Sequence, residues 1–316
     1  MQLLENNNLI IQVKDIGAEL CRIFSKKDNT EYLWNGDSKY WGRHSPILFP
    51  IVGRLKDNET IIDNSFYKMN QHGFARDMNF ELVASDSNSL TYTLVDSEES
   101  KNLYPYSFEL TIKYTLLASS IKIDWFVKNT NDCDMYFSIG AHPAFNIPFS
   151  SNEQASDYYL DLELCGNVNQ YLLDGPFVSK IIPSSNINKL DIKPELFVND
   201  ALIYDNVESI SICSRKNNSK VKVSFKDFPL VGIWSPYYKD NNSIAPFICI
   251  EPWYGIADSI NTSKDYKSKF AINKLAPSST FLATSSFPLR TYITYTPGSL
   301  KNESFFIRFT FRLTPL

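Results

Sequence analysis

Histidine is scarce in this chain: three in 316 residues, at His44, His72 and His142. No two of them have the spacing of a metal-binding pair on one helix face. Glycine is sparse too, at 11, and no glycine-rich phosphate loop or G-x-S-x-G nucleophile turn occurs. The five cysteines (Cys21, Cys133, Cys165, Cys213 and Cys249) are odd in number, widely spread and free of any C-x-x-C pair. That argues against a disulfide framework or a zinc ribbon. Charge of one sign is nowhere concentrated and the net charge is −4. Neither nucleic acid nor a membrane surface is therefore an expected partner. The start, MQLLENNNLI, lacks the basic and apolar regions of a signal peptide. No apolar run, PILFPIVG included, is long enough to span a bilayer. The expectation is a soluble, cytoplasmic protein with reduced thiols.

What the chain does have is aromatic residues, 14% of the total, with 22 Phe and 18 Tyr. Such side chains suit pleated, half-buried surfaces. In residues 107–117, Phe108, Leu110, Ile112, Tyr114 and Leu116 alternate with polar neighbours. After a short turn, Ile121, Ile123, Trp125 and Val127 do the same. Period-two alternation on both sides of a turn predicts an antiparallel hairpin. KVKVSF (220–225) and FFIRFTFRL (305–313) repeat the pattern. Helical periodicity is nearly absent; SKYWGRHS and KPELFVND could each hold one helical turn. No linker or internal repeat divides the chain. The predicted fold is all-β, one large antiparallel β-sandwich with few short helices. In residues 277–316, TPGSLKNESFF reads as a turn feeding a last strand. Outward Arg308 and Arg312 would protect such an edge, and a partly disordered tail is the alternative.

Chemistry must then come from residues distant in sequence. His142 lies where the apolar YFSIG runs out, and Pro143 restricts its backbone. A histidine there either bonds to backbone or serves a site, and position alone leaves the two even. His72, in MNQHGFARD, is a turn residue with Phe74 and Arg76 close by; His44 reads as mainly structural. Glu251 directly follows the apolar FICI and precedes Pro252 and Trp253. Partial desolvation there raises a carboxyl pKa and makes a better base; pairing with an arginine such as Arg54 is the plainer reading. Trp41, Phe74, Trp253 and Tyr254 could stack on a sugar ring, although most aromatics must be core.

The stretches HSPILFPIVGRLKDNE, MNQHGFARD, SIGAHPAFNIP and CIEPWYGIADS, in this order, resemble the aldose 1-epimerase (galactose mutarotase) family, in particular its LacX-like bacterial branch. The likeness runs from about residue 3 to about residue 294. It implies a galactose mutarotase-like supersandwich of residues 1–294, with residues 295–316 as an added strand or partly disordered extension. By motif position it implies Glu251 as general base and His142 as general acid. His72, Arg54 and Asp200 would hold the substrate, with Asp205 as the other candidate for the aspartate and Phe74 and Trp253 as stacking surfaces. The implied activity is interconversion of the α and β anomers of an aldose, with no cofactor and no metal, by a monomer or homodimer. GRLKDNE and EPWYG depart from the galactose-specific pattern and leave the sugar open. A hexose-phosphate 1-epimerase with Arg43, Arg54 and Arg76 near the phosphate is one alternative; a non-catalytic carbohydrate-binding protein is another. A glycoside-processing enzyme needs a second apposed carboxylate beside Glu251.

Overall fold

The computed structural model describes residues 1–185, 187–217 and 219–290. The hairpin expected around residue 118 is present: Phe108–Leu117 and Ser120–Asn129 pair antiparallel, with Ile112 opposite Trp125 and Leu110 opposite Val127. Their alternating burial follows the sequence pattern. The pair lies inside a sheet of nine strands among the described residues. Ser89–Val95 and Glu81–Ser85 extend it on one side. On the other side come Thr280–Arg290, then Lys220–Ser224 from the KVKVSF segment, Val207–Ser214, Tyr158–Leu164 and Lys189–Asp191.

A second sheet packs against this one. Its order is Phe177–Ser184, Val168–Asp174, Leu202–Asp205, Leu230–Trp234, Phe247–Tyr254, Ile139–Ala141 and Ile47–Leu48, and Ala144–Asn146 also pairs with Phe247–Tyr254. The two sheets share one core, in which Trp125, Ile112, Ile212 and Phe287 of the first meet Ile248, Ile250, Val231 and Ile233 of the second. Each fully buried large apolar side chain there contributes about 1.5–3 kcal/mol. A smaller sheet of Gln2–Glu5, Leu9–Val13, Leu20–Ser25 and Thr30–Glu31 closes one flank with Leu9, Ile11 and Ile23.

Alternation in the second sheet separates two environments. Along Phe247–Tyr254, Ile248 and Ile250 point into the shared core. The intervening Phe247, Cys249 and Trp253 belong to separate clusters on the other face. That other face carries the site.

Helix is minor. KPELFVND gives a 3-10 turn at Pro194–Phe197. SKYWGRHS gives one uncontinued turn, in which the amides of Tyr40 and Trp41 both donate to the Asp37 carbonyl. The α-helix Glu98–Leu103, capped by Ser97, was not anticipated. Among the described residues no helix is long and apolar enough to cross a membrane. FFIRFTFRL and the boundary expected at residue 294 lie outside the described residues.

Candidate active site

The site is organised by strand register. Gly140 lies opposite Trp253, and Ala144 lies opposite Cys249. The same antiparallel register, carried across the gap between Ile139–Ala141 and Ala144–Asn146, sets His142 opposite Glu251. Pro143 brings no N–H to the ladder, so the strand breaks there. The Ile250 amide still reaches the Pro143 carbonyl at 3.2 Å and holds the two pieces in line. On the other side of the glutamate strand, Gly232 faces Glu251.

Two glycines make the floor flat. A Cβ on Gly232 would come within 2.4 Å of Trp253 Cη2, and one on Gly140 within 2.7 Å of Trp253 Cδ1. The indole therefore lies across both neighbouring strands in space that side chains would otherwise fill. It forms part of the wall of a cavity of about 300 Å³, together with Glu251, His142, Trp41 and Trp234. This size matches the lower end of small-molecule sites.

His142 Nε2 and Glu251 Oε2 are 3.1 Å apart. Both residues are buried. Glu251 Oε2 is nonetheless buried without a hydrogen-bond partner, and so is His142 Nδ1 on the other side of the ring. Such atoms are uncommon in folded proteins and mark places where a ligand can complete the bonding. Trp41 stacks on the His142 ring at 4.7 Å, while Trp234 and His72 meet it edge-on at 5.6 and 5.5 Å. Burial raises the Glu251 carboxyl well above its ordinary range, and the Asp200 carboxylate adds to the effect. Burial pushes the His142 imidazole down to about 3, with Arg76 and Arg43 contributing in the same direction. Both groups are thus driven toward their neutral forms, so the pair holds one proton. A neutral pair and a carboxylate–imidazolium pair contain the same number of protons.

His72 is fixed by a left-handed backbone (φ 68°) and by reciprocal bonds with Gly53. Its amide donates to the Gly53 carbonyl at 2.8 Å, and its Nδ1 accepts from the Gly53 amide at 3.1 Å. Burial, then the charges of His142, Arg76, Arg43 and Arg54, push its pKa well below the usual value. The ring is therefore neutral, and with Nδ1 accepting from the Gly53 amide, its proton sits on Nε2, which lies 3.3 Å from the Gln71 side-chain amide nitrogen. Gln71 ties two arginines together: its side-chain oxygen accepts from Arg54 at 2.9 Å and its carbonyl from Arg76 at 2.7 Å. The Nε atoms of both arginines are buried without a hydrogen-bond partner, and that of Arg76 lies 3.7 Å from the Asp77 carboxylate. Asp200, also left-handed at φ 72°, stands at the exposed rim, and partial burial raises its carboxyl.

Of the residues expected from sequence, Glu251, His142, His72, Arg54, Asp200 and Trp253 all line this one cavity. Phe74 does not. Its ring packs on Phe49, Tyr104 and Phe108 in the core, because the turn at His72 sends the following residues inward to pair with the Phe49 carbonyl. Tyr254 also leaves the site; it packs on Phe228 and Phe281 on the opposite face of its strand. Asp205 is engaged elsewhere, accepting from Asn169 and Tyr171. Arg43 pairs with Asp77 at 2.8 Å. Trp234 and Gln71 escaped sequence reasoning. Trp234 shares a face with Gly232, a signal visible only once that strand is placed beside Glu251. As for metal ligands, His142, Cys249 and Glu251 present a ring nitrogen, a thiol and a carboxylate oxygen within 4.8 Å of one another.

Comparison with known proteins agrees with this architecture. The family model for aldose 1-epimerase matches residues 1–272. The chromosomal and plasmid LacX proteins of Lactococcus lactis subsp. lactis are each 35% identical over 293 residues, covering 87% of this chain and 94% of theirs. A galactose mutarotase related enzyme from Lactobacillus acidophilus superimposes with a TM-score of 0.88 at 34% identity, covering 92% of this chain and 97% of that one. A galactose mutarotase-like protein from Lactobacillus casei gives 0.85 at 29% identity, covering 92% and 100%.

Proposed function

The chain belongs to the aldose 1-epimerase family, and on that premise we propose that it interconverts the anomers of a free aldose of the cytoplasm by acid–base ring opening and closing. The observation that carries this reading is the buried Glu251–His142 contact at 3.1 Å in the cavity floor. Mutarotation removes a proton from the anomeric hydroxyl and delivers one to the ring oxygen. Both oxygens are carried by C1, so base and acid must converge to within a few ångströms, as these two do.

In this mechanism Glu251 takes the hydroxyl proton while His142 protonates the ring oxygen. The ring opens to the aldehyde, the carbonyl turns about the C1–C2 bond, and reversal closes the other anomer. The reaction moves the pair from carboxylate–imidazolium to carboxyl–imidazole and back. Burial favours the second state, which is also the resting state of the empty pair, so the cycle begins when the shared proton passes from Glu251 to His142 as the sugar binds. No net proton is exchanged with solvent. His72 Nε2–H and the arginines donate to sugar oxygens, Asp200 accepts from hydroxyls, and Trp253 and Trp41 supply apolar surface to the ring.

A second reading is favoured by one feature. Arg54 Nε, buried without a hydrogen-bond partner, and the neighbouring Arg76 guanidinium, whose Nε is 3.7 Å from the Asp77 carboxylate, are suited to charge-assisted bonds with an anionic substituent. A hexose phosphate would use them. Anomer exchange measured by NMR with glucose, galactose and glucose 6-phosphate tests both readings. Acceleration confined to glucose 6-phosphate would select the second. Saturable binding without acceleration of any of them would overturn both in favour of a carbohydrate-binding protein.

A further inference from the structure

The mechanism above leaves one buried nucleophile beside the reacting pair unused. Cys249 is fully buried and lies two residues before Glu251, so both side chains leave the same face of one strand. Across the ladder it faces Ala144, whose small side chain leaves the thiol close to His142. The three donors lie within 4.8 Å of one another. Ligand atoms in a tetrahedral zinc site, with bonds of about 2.0–2.3 Å, stand about 3.5 Å apart. The carboxylate and imidazole already meet that spacing, and rotation of the glutamate and thiol about their own bonds closes the rest.

We propose that His142, Cys249 and Glu251 form a thiophilic divalent-cation site, of the chemistry that zinc takes, and that filling it switches the enzyme off. One thiolate and one carboxylate neutralise a divalent ion, and a neutral complex suits this desolvated floor. Glu251 Oε2 is buried without a hydrogen-bond partner, 3.1 Å from His142 Nε2, so an ion between them would complete its bonding. Glu251 and His142 line the cavity, so a hydrated ion reaches them by the route the sugar takes, and the thiol of Cys249, fully buried and not part of the cavity lining, completes the set from within the floor. Binding releases the thiol proton and the proton held by the pair. The ion thereby occupies both the base and the acid, and exchange stops. The inhibitory half of this inference rests on the proposed acid–base roles; the coordination half does not.

The test uses the full-length protein, stripped by a chelator and titrated with Co²⁺. A thiolate-to-cobalt charge-transfer band at one equivalent is expected, lost in Cys249→Ser and retained but needing more cobalt in His142→Gln. Zinc should displace the band and halt anomer exchange. Cys249→Ser, free of metal, should exchange at the wild-type rate and need at least about 100-fold more zinc for inhibition, since even groups that only orient a ligand are worth about 10–100-fold in metal affinity. Cys249→Ala serves if the serine variant fails to fold. A missing band, or one unchanged in both Cys249 variants, would overturn the site. If the protein exchanges no sugar tested, the cobalt band still decides coordination. Zinc that displaces the band yet leaves exchange untouched would overturn the inhibitory half.

Discussion

Gly232→Ala tests how the cavity floor is built. In a strand interior, replacing glycine by alanine ordinarily stabilises by about 0.5–1 kcal/mol. Gly232 has no left-handed backbone to forbid it. Its new Cβ would nonetheless lie 2.4 and 2.5 Å from Trp253 Cη2 and Cζ2, inside any real contact distance. The indole must move, and at its other end it is already seated closely over Gly140, where an added Cβ would lie 2.7 Å from Cδ1. Overpacking of this kind costs about 1–3 kcal/mol. The expected net result is a loss of about 1–2 kcal/mol, with a raised KM because the displaced ring enters the cavity. Urea unfolding followed by circular dichroism measures the loss. The decisive control is the same change in a Trp253→Ala background, where the clash is gone and Gly232→Ala should be neutral or stabilising. A coupling of about 1–3 kcal/mol is expected. Equal effects in both backgrounds would refute the packing argument.

Other consequences follow from buried groups. Lys269 and Asp258, each 3% exposed at the side chain and 3.0 Å apart, brace the loop whose Asp258 amide donates to the Arg54 carbonyl. Lys269→Met strands a buried carboxylate and should cost about 3–5 kcal/mol in urea unfolding, recovered in part by adding Asp258→Asn. Desolvation opposes ionisation of Glu19, but hydrogen bonds from His44 and the charge of Lys14 outweigh it and hold its pKa at about 2. A depressed carboxyl stabilises above its unfolded value, so about 3 kcal/mol should be present at neutral pH and lost as pH falls from about 4.5 toward 2. Glu19→Gln should flatten that part of the stability–pH profile; an unchanged slope would contradict the linkage. Phe74→Ala should cost about 3–5 kcal/mol as a core truncation while leaving KM unchanged, measured on the folded variant well below its unfolding midpoint.

The hairpin Phe108–Leu117/Ser120–Asn129 was legible because one face of each strand is buried and the other is polar. Phe247–Tyr254 hides its alternation. Both its faces are covered, one by the core and one by the cavity wall, so the run reads as uniformly apolar up to Glu251. The meeting of Glu251 with His142 is a matter of register between strands far apart in sequence, and no local pattern encodes that. The family resemblance named both residues; sheet pairing shows why they touch. Phe74 is close to His72 in sequence but does not share its cavity. The left-handed turn at His72 points the ring nitrogen into the cavity and Phe74 into the core. Trp234 carried no signal of its own, since an aromatic in a short strand is most often core.

The central claim is that Glu251 and His142 act as base and acid on one sugar carbon. The most direct test is anomer exchange by saturation-transfer NMR, comparing the wild type with Glu251→Gln on whichever sugar the wild type accelerates. The amide keeps the shape of the carboxyl and removes its ability to accept the proton. The account predicts an intact fold and a rate lower by about 10²–10⁴. A folded Glu251→Gln protein exchanging anomers at near wild-type rate would contradict it.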